Sequence, residues 1–445
     1  MDNNSPQKYL IIGAGPVGLA YAKELLLANI PYQQVDADND IGGNWYHGVY
    51  ETAHVISSKD VMEYSDYPMP ENTPDFPSYK SMLAYYRNYA EHFDLRKNIR
   101  FNTKVVYIQP IENSLWKAYF ADGSSEIYQG VLICNGHHWD KKLPQWEGDF
   151  EGEVLHSKDY KSPDQLRKKK VVVIGAGNSA CDIVSEAARV GEAAYMSIRS
   201  SAWFLPKLIM GQPLSKFAKP WVPEFMQRLG LKIGLKIVVG DMEKYGLPVP
   251  DHKVFEKHPT IGTEVLHYIK HGRITPKPGI AKLAGKKVCF TDGSEVEADL
   301  LVAATGYHLS YPFLPKELHR TKGAVALTYA DCMLDDYKGL YLIGWQQARG
   351  GVGALAPSGA KLMVKLLKLQ EQSVVPLGKV FQYLNYPLPT THLIGMFKVL
   401  KEMEKIHKTF SKITNLAQKL SAEQPNFQNQ VLPAPDKLNK DLVVY

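Results

Sequence analysis

The sequence predicts an α/β chain with two parallel-sheet nucleotide folds, the second inserted into the first. Three observations carry this. Two stretches, from Lys8 and from Lys168, each read as apolar strand, glycine loop, helix and second strand. A gapless internal repeat aligns Lys117–His138 with Lys287–His308, each copy lying downstream of one glycine loop. The length of 445 residues is that of two or three compact units rather than one core.

The first unit, KYLIIGAGPVGLAYAKELLLANIPYQQVDAD, places Gly13, Gly15 and Gly18 at GxGxxG spacing. Gly13 permits a tight turn, Gly15 lets a pyrophosphate approach the backbone, and Gly18 lets helix pack on sheet. Ala14 and Pro16 fill the loop, and the helix N-terminus offers N–H groups to an anion. Asp36 closes the second strand, where a carboxylate accepts hydrogen bonds from ribose hydroxyls. An acid there selects an unphosphorylated ribose.

The second unit, KKKVVVIGAGNSACDIVSEAARVGEAAYMSIRSS, carries Gly175 and Gly177, with Ala180 in the third glycine's place. Asn178 and Ser179 open its helix. Its second strand runs to Arg199 and Ser200 instead of an acid, and arginine accommodates a 2′-phosphate, so this site is expected to take NADPH. Each repeat copy reads as a hairpin with an Asp-Gly turn followed by an apolar strand that closes its sheet.

Composition narrows the class. The chain is 45% apolar and 22% charged, a globular profile. The net charge of +6 is small for this length, and its main cluster, Arg167–Lys170, reads as a solvated turn, so no nucleic-acid partner is expected. No apolar run reaches membrane-spanning length, and the N-terminus lacks signal-peptide character. Cys134, Cys181, Cys289 and Cys332 stand apart without a CxxC pair, so no metal site is expected, and a reducing, cytoplasmic setting is.

Between the two glycine loops, FEGEVLHSKDYK matches the pattern FxGxxxHxxxY through Phe150, Gly152, His156 and Tyr160. DIGGNW supplies Gly42, Gly43, Asn44 and Trp45, and VAATGYHLSYPFL supplies Thr305 and Gly306. In these segments the chain resembles the flavin-containing monooxygenases, class B flavoproteins, from Tyr9 to about Ala360. Baeyer–Villiger enzymes share the FxGxxxH stretch but place Trp with Pro or Asp where this chain has Tyr160 and Lys161. The resemblance implies FAD and NADPH as cofactors. In the family NADPH reduces FAD, dioxygen adds to the reduced ring, and the flavin C4a-hydroperoxide passes its distal oxygen to a soft nucleophile such as an amine or sulfide. The partners are then a small nucleophilic substrate and dioxygen.

On this reading FAD lies against Gly13, Ala14, Gly15, Pro16, Gly18, Asp36, Gly43, Asn44, Trp45, Val105 and Gln346, and NADPH against Gly175, Gly177, Asn178, Ser179, Arg199, Ser200, Thr305 and Gly306. Gln346 and Gln347 are read either as donors toward the flavin or as a buried structural pair. His156 is read as a hydrogen-bonded hinge between the folds rather than a general base, and His137 and His138 as structural. Many amine-oxygenating relatives carry an amide three residues before the lysine of the next loop, and here that position is Ile56. Ser57 and Ser58 are candidate donors in its place. Plant indole-3-pyruvate-converting relatives also lack that amide, so ketone or keto-acid chemistry stays open, as does a non-oxygenating redox or sensor role.

The FAD fold is expected over 1–162 and 307–445, with the NADPH fold inserted at 163–306. Residues 202–278 are expected to roof the substrate entrance. At the C-terminus, Met396, Val399, Met403, Ile406, Phe410, Ile413, Ala417 and Leu420 follow helical spacing with lysines on the other faces. Such a helical tail packs on its own domain, pairs in a homodimer or rests on an anionic membrane.

Overall fold

A computed structural model describes residues 8–434. Along the chain, β1 (Tyr9–Ile12), α1 (Pro16–Leu27), β2 (Tyr32–Val35), α2 (Tyr79–His92) and β3 (Ile99–Arg100) come first. A three-stranded antiparallel sheet follows, β4 (Val105–Ile111), β5 (Leu115–Phe120) and β6 (Ser125–Tyr128), then β7 (Gly130–Ile133) and β8 (Glu153–His156). The second unit holds β9 (Lys170–Ile174), α3 (Asn178–Val190), β10 (Ala193–Ser197), α4 (Glu224–Val238) and β11 (Thr275–Lys277). It has its own antiparallel trio, β12 (Ile280–Ala284), β13 (Lys287–Phe290) and β14 (Glu295–Glu297), and then β15 (Leu300–Ala303). The chain returns through β16 (Leu340–Leu342), β17 (Gln347–Arg349), α5 (Leu355–Gln372), α6 (Leu377–Tyr383), β18 (Leu393–Gly395), α7 (Met396–Lys408) and α8 (Phe410–Glu423).

Two five-stranded parallel sheets result, ordered β16-β7-β1-β2-β3 and β8-β15-β9-β10-β11. Their central strands are buried on both faces, which suits the unbroken apolar runs YLII and VVV. α1 is apolar nearly all round because it lies between its sheet and α5, burying Leu19, Ala20, Tyr21 and Leu25. The repeat is reproduced down to its turns: Asp122 Oδ1 accepts the Ser124 N–H at 2.8 Å, and Asp292 Oδ1 accepts the Ser294 N–H at 3.0 Å.

Three expectations need correction. The repeat strands β7 and β15 do not close their sheets, since β16 and β8 lie outside them. β8, placed by sequence in the first fold, pairs with β15 through Leu300↔Glu153 to Ala303↔His156, so the second sheet begins near residue 153. The C-terminal tail is two helices broken at Thr409, not one, and both turn their seam inward: Ile406, Ile413, Ala417 and Leu420 join the core around α5 and α6. The ends of the expected domains, residues 1–7 and 435–445, lie outside the described residues.

Candidate active site

The first glycine loop is a cradle built from backbone. Gly13 has φ +104°, and a Cβ there would stand 2.5 Å from the Cys134 carbonyl oxygen. A Cβ on Gly18 would stand 2.0 Å from the Gly13 oxygen, so α1 packs on the turn as closely as glycine allows. Gly15 caps α1, faces Gly43 across the slot, and has Pro16 after it at the helix start. Asp36 follows β2, and its carboxylate accepts the Ala14 N–H at 2.5 Å and the Asp38 N–H at 2.9 Å. Burial pushes its pKa up to about 6, against the pull of those two N–H bonds.

A cavity of about 1170 Å³ opens from this cradle. Gly13, Gly15, Pro16, Asp36, Gly43, Asn44, Trp45, Val105 and Gln346 line it, as do Ile56, Ser57 and Ser58. Ala14 and Gly18 stand behind the wall. The two serines differ. Ser58 is fully buried with its Oγ 2.7 Å from Ser215 Oγ, which ties the loop to the roof, whereas Ser57 is half-buried in the wall. Gln346 Nε2 donates to Asp331 Oδ1 at 3.0 Å, and burial raises the Asp331 pKa. Gln347 lies in β17, its N–H bonded to the His392 carbonyl. Leu205, Leu214, Phe255 and His258 of the roof also line the cavity.

Three further lining residues emerge only from the tertiary arrangement. His137 Nδ1 lies 3.0 Å from the Gly344 carbonyl, which can only accept, so this nitrogen carries the proton. Its buried Nε2 is then a bare acceptor with no partner among the described residues. Burial lowers the pKa of His137 and His138, keeping both neutral at pH 7. Lys158 reaches toward the His138 carbonyl at 3.5 Å, and burial with Lys161 and Lys141 nearby lowers its pKa to about 8. Lys158 lies within the FxGxxxHxxxY stretch, but nothing in its spacing shows that it faces a cavity.

The second glycine loop has the same backbone logic. Gly175 has φ +129°, with a Cβ position 2.5 Å from the Ala304 oxygen, and Ala180 is fully buried where a third glycine might stand. Gly177 caps α3 and has nothing within 4 Å of its Cβ position. Asn178 Oδ1 accepts the Ile261 N–H at 2.7 Å, which commits it to the roof, and Ser179 sits in the first turn of α3. Arg199 and Ser200 are exposed beyond β10. Thr305 donates to the Lys142 carbonyl, and Gly306 receives His156 Nε2 at 3.0 Å. None of these residues lines the large cavity. Lys158 N–H donates to His156 Nδ1 at 3.1 Å, so Nε2 bears the proton. With its pKa lowered by burial, His156 is a neutral tie between β8 and the Gly306 turn.

A buried glycine cradle ending in an acid, opening on a deep cavity, and a second cradle ending in an arginine define a two-dinucleotide flavoprotein scaffold. Comparison with known proteins agrees: the family described as flavin-binding monooxygenase-like matches residues 6–420, and the chain belongs to that family. It is 30% identical to flavin-containing monooxygenase 5 of Oryctolagus cuniculus over 72% of this chain and 66% of that protein, so it spans just under two thirds of that relative's length. It is 30% identical to the probable indole-3-pyruvate monooxygenase YUCCA7 of Arabidopsis thaliana over 69% of this chain and 76% of that protein. The solved complex of OTEMO with FAD and NADP shares the fold at a TM-score of 0.65 and 19% identity, covering 83% of this chain and 86% of that one. No helix among the described residues is long and apolar enough to cross a membrane. No group of three or more His, Cys, Asp or Glu among them could hold a metal ion.

Proposed function

We propose that this chain is an FAD- and NADPH-dependent monooxygenase that transfers one oxygen atom of dioxygen to a soft nucleophile, an amine nitrogen or a sulfide sulfur. One observation carries the reading: a single cavity is lined by Asp36, Trp45 and Ser57 and also by the apolar side chains Phe255, Ile394 and Met396. A ribose anchor and an apolar wall thus share one space large enough for a cofactor and a small substrate. Bound FAD would supply the oxygen chemistry and NADPH the electrons. The chain's part is to bind, orient and exclude water. The N-terminus of α1 faces a pyrophosphate, Asp36 holds the ribose, and Ser57 is the hydroxyl donor left on the loop where Ile56 offers none. Arg199 holds the 2′-phosphate of NADPH.

Ile56 also favours a second reading, oxygenation of a ketone or keto acid, and the relative named as a probable indole-3-pyruvate monooxygenase supports it. The purified yellow protein, reduced with NADPH and mixed with oxygen, should give oxygenated product from a sulfide or a tertiary amine. Product from a ketone or keto acid alone selects the second reading. Stoichiometric hydrogen peroxide with no oxygenated product from any of them overturns both.

Two predictions belong to the cofactor sites. Arg199→Ala should raise KM for NADPH about 10- to 100-fold, the worth of a charge-assisted phosphate bond, and leave KM for NADH nearly unchanged. Equal effects on both would remove the phosphate role. The second concerns Asp36, whose ionised form accepts ribose hydroxyls. Ribose binding therefore lowers its pKa from about 6, and FAD affinity should fall as pH drops through that value. The apo fold shows the opposite sign: it binds more protons than the unfolded chain between about pH 4 and 6, and loses stability as pH rises through that window. Equilibrium dialysis of FAD across this range, with Asp36→Asn as the flat control, checks it.

A further inference from the structure

The first sheet runs β16-β7-β1-β2-β3 with its strands parallel, so the residues that follow β7, β1 and β2 lie side by side along one edge. His138 follows β7, the Gly13–Gly15 loop follows β1, and Asp36 and Asp38 follow β2. The hinge stretch from His156 to Lys161 is tied on both sides of that loop. On the β7 side, Lys158 Nζ reaches the His138 carbonyl at 3.5 Å, and Asp159 Oδ1 accepts from Lys141 Nζ at 2.5 Å. On the β2 side, Lys161 Nζ donates to the His47 carbonyl at 2.7 Å, and His47 Nε2 lies 3.2 Å from Asp38 Oδ1. Between these ties, Lys158 lines the same cavity as Gly13, Gly15 and Pro16. Its ammonium is short of partners. Asp159 is taken by Lys141 and Asp38 by His47, and among the described residues the hydrogen bond that Lys158 Nζ makes is the long one to His138. Burial, with Lys161 and Lys141 nearby, lowers its pKa to about 8, which a neighbouring anion would reverse.

We propose that the Lys158 ammonium is the counter-ion of the FAD pyrophosphate, closing the first cradle from the hinge. Charge balance asks for such a group. The loop GAGPVG holds no side-chain cation, while Asp36 and Asp38 both line the cavity beside it. The N-terminus of α1 offers the equivalent of roughly half a positive charge, less than a doubly charged pyrophosphate needs next to two carboxylates. Lys104 lines the cavity as well, but from the ribose side, since its neighbour Thr103 donates its N–H to the Asp36 carbonyl at 2.8 Å. None of the second-cradle residues named above lines this cavity, which favours FAD over NADPH as the owner of the pyrophosphate. A lysine suits the place because a compact ammonium on a flexible stem acts as a point charge toward phosphate. The assignment rests on FAD occupying the first cradle.

The test compares three ligands on the full-length chain freed of flavin: FAD, ADP, which keeps the pyrophosphate without the flavin, and riboflavin, which keeps the flavin without the phosphates. Lys158→Met, which removes the charge and keeps the stem, should raise Kd for FAD and for ADP by the same factor, about 10- to 100-fold, and leave Kd for riboflavin unchanged. The salt dependence of FAD binding should flatten with it, and Lys158→Arg should restore most of the affinity. Without ligand the Met variant should melt as the wild type does, because the side chain gives up one long hydrogen bond. The proposal is overturned by a Met variant that binds FAD and ADP as tightly as the wild type, or by one that loses riboflavin to the same extent. Unchanged FAD affinity with a raised KM for NADPH would assign the ammonium to the phosphates of the second dinucleotide instead. A wild-type chain that takes up no FAD overturns the reading of the first cradle itself, an outcome distinct from failure of Lys158 alone.

Discussion

Gly18→Ala is expected to give a protein that retains no flavin and melts at least roughly 3 °C below the wild type, while Gly177→Ala melts normally. The two substitutions add the same methyl group to equivalent loops, and the surroundings differ. At Gly18 the new carbon would lie 2.0 Å from the Gly13 carbonyl oxygen and about 3.0 Å from Gln34 Nε2. The Gly13 oxygen is backbone, fixed by the turn that Gly13 itself closes, so α1 must move off the sheet. Overpacking of this kind against backbone costs about 3 kcal/mol or more. Displacing α1 also withdraws its N-terminus from the cradle, which is why flavin retention should fail with stability. Gly177 has φ −77° and open space around its Cβ position, so alanine fits the fold there. What the methyl obstructs is the close approach of a pyrophosphate, and misplacing it by about 1 Å should lower kcat/KM for NADPH about 100-fold. Thermal melts of both variants, with flavin content and NADPH kinetics, test the pair. A Gly177→Ala protein that melts as low as Gly18→Ala would make that glycine structural and remove its place in the NADPH site.

The contrast shows which parts of this molecule were legible in the sequence. The glycine loops and the repeated hairpins are local: the identities that set them, such as Asp122 with Ser124 and Asp292 with Ser294, bond to one another within two residues. The placement of β8 was not legible, because EVLH reads equally well as a connector. Its partner β15 lies almost 150 residues away, and only that pairing gives it a sheet. The break at Thr409 was hidden for a different reason. The apolar spacing runs through it unchanged, from Ile406 to Ile413, while Thr409 Oγ1 bonds back to the Lys405 carbonyl at 2.9 Å. Such back-bonding bends helices without disturbing their periodicity. The roof over 202–278 holds its shape through distant pairings such as Phe204–Leu205 with Thr260–Ile261, to which no periodicity points.

Within the candidate site the same division holds. Asp36 and the cradle glycines follow from the loop's own geometry. His137, Lys158 and the difference between Ser57 and Ser58 depend on what packs against them. Ser58 reads like its neighbour in sequence, yet it is consumed by Ser215 from the roof. The loop that carries Ile56 is therefore pinned to the roof at Ser58 and lines the cavity at the two residues before it. Ile56 and Ser57 thus stand together in the cavity wall, an apolar and a hydroxyl side chain side by side.

Replacing Glu186 with alanine should cost about 3 kcal/mol and weaken NADPH binding without touching the cavity. Glu186 is a buried carboxylate on α3 that accepts from the Tyr160 hydroxyl and from the Thr52 hydroxyl, while its neighbour Asp182 accepts from Tyr50 at 2.7 Å. Tyr50 and Thr52 belong to the first fold, Tyr160 to the connector and α3 to the second fold, so this cluster fixes one nucleotide site relative to the other. Thr52 is exposed and regains water when the carboxylate is lost. Tyr160 is fully buried and does not, and an unpaired buried hydroxyl is the larger part of the cost. The effect must therefore be non-additive. In a Tyr160→Phe background, where no hydroxyl is left to orphan, Glu186→Ala should cost about 1–2 kcal/mol less than it does in the wild type. Because α3 presents Gly177 and Asn178 at its N-terminus, loosening its far turns should raise KM for NADPH while leaving flavin content unchanged. Urea denaturation of the two single variants and the double variant, with NADPH kinetics on each, settles the matter. Strictly additive costs would mean that the two side chains stabilise the protein separately, and that the connector is held to α3 by packing rather than by this carboxylate.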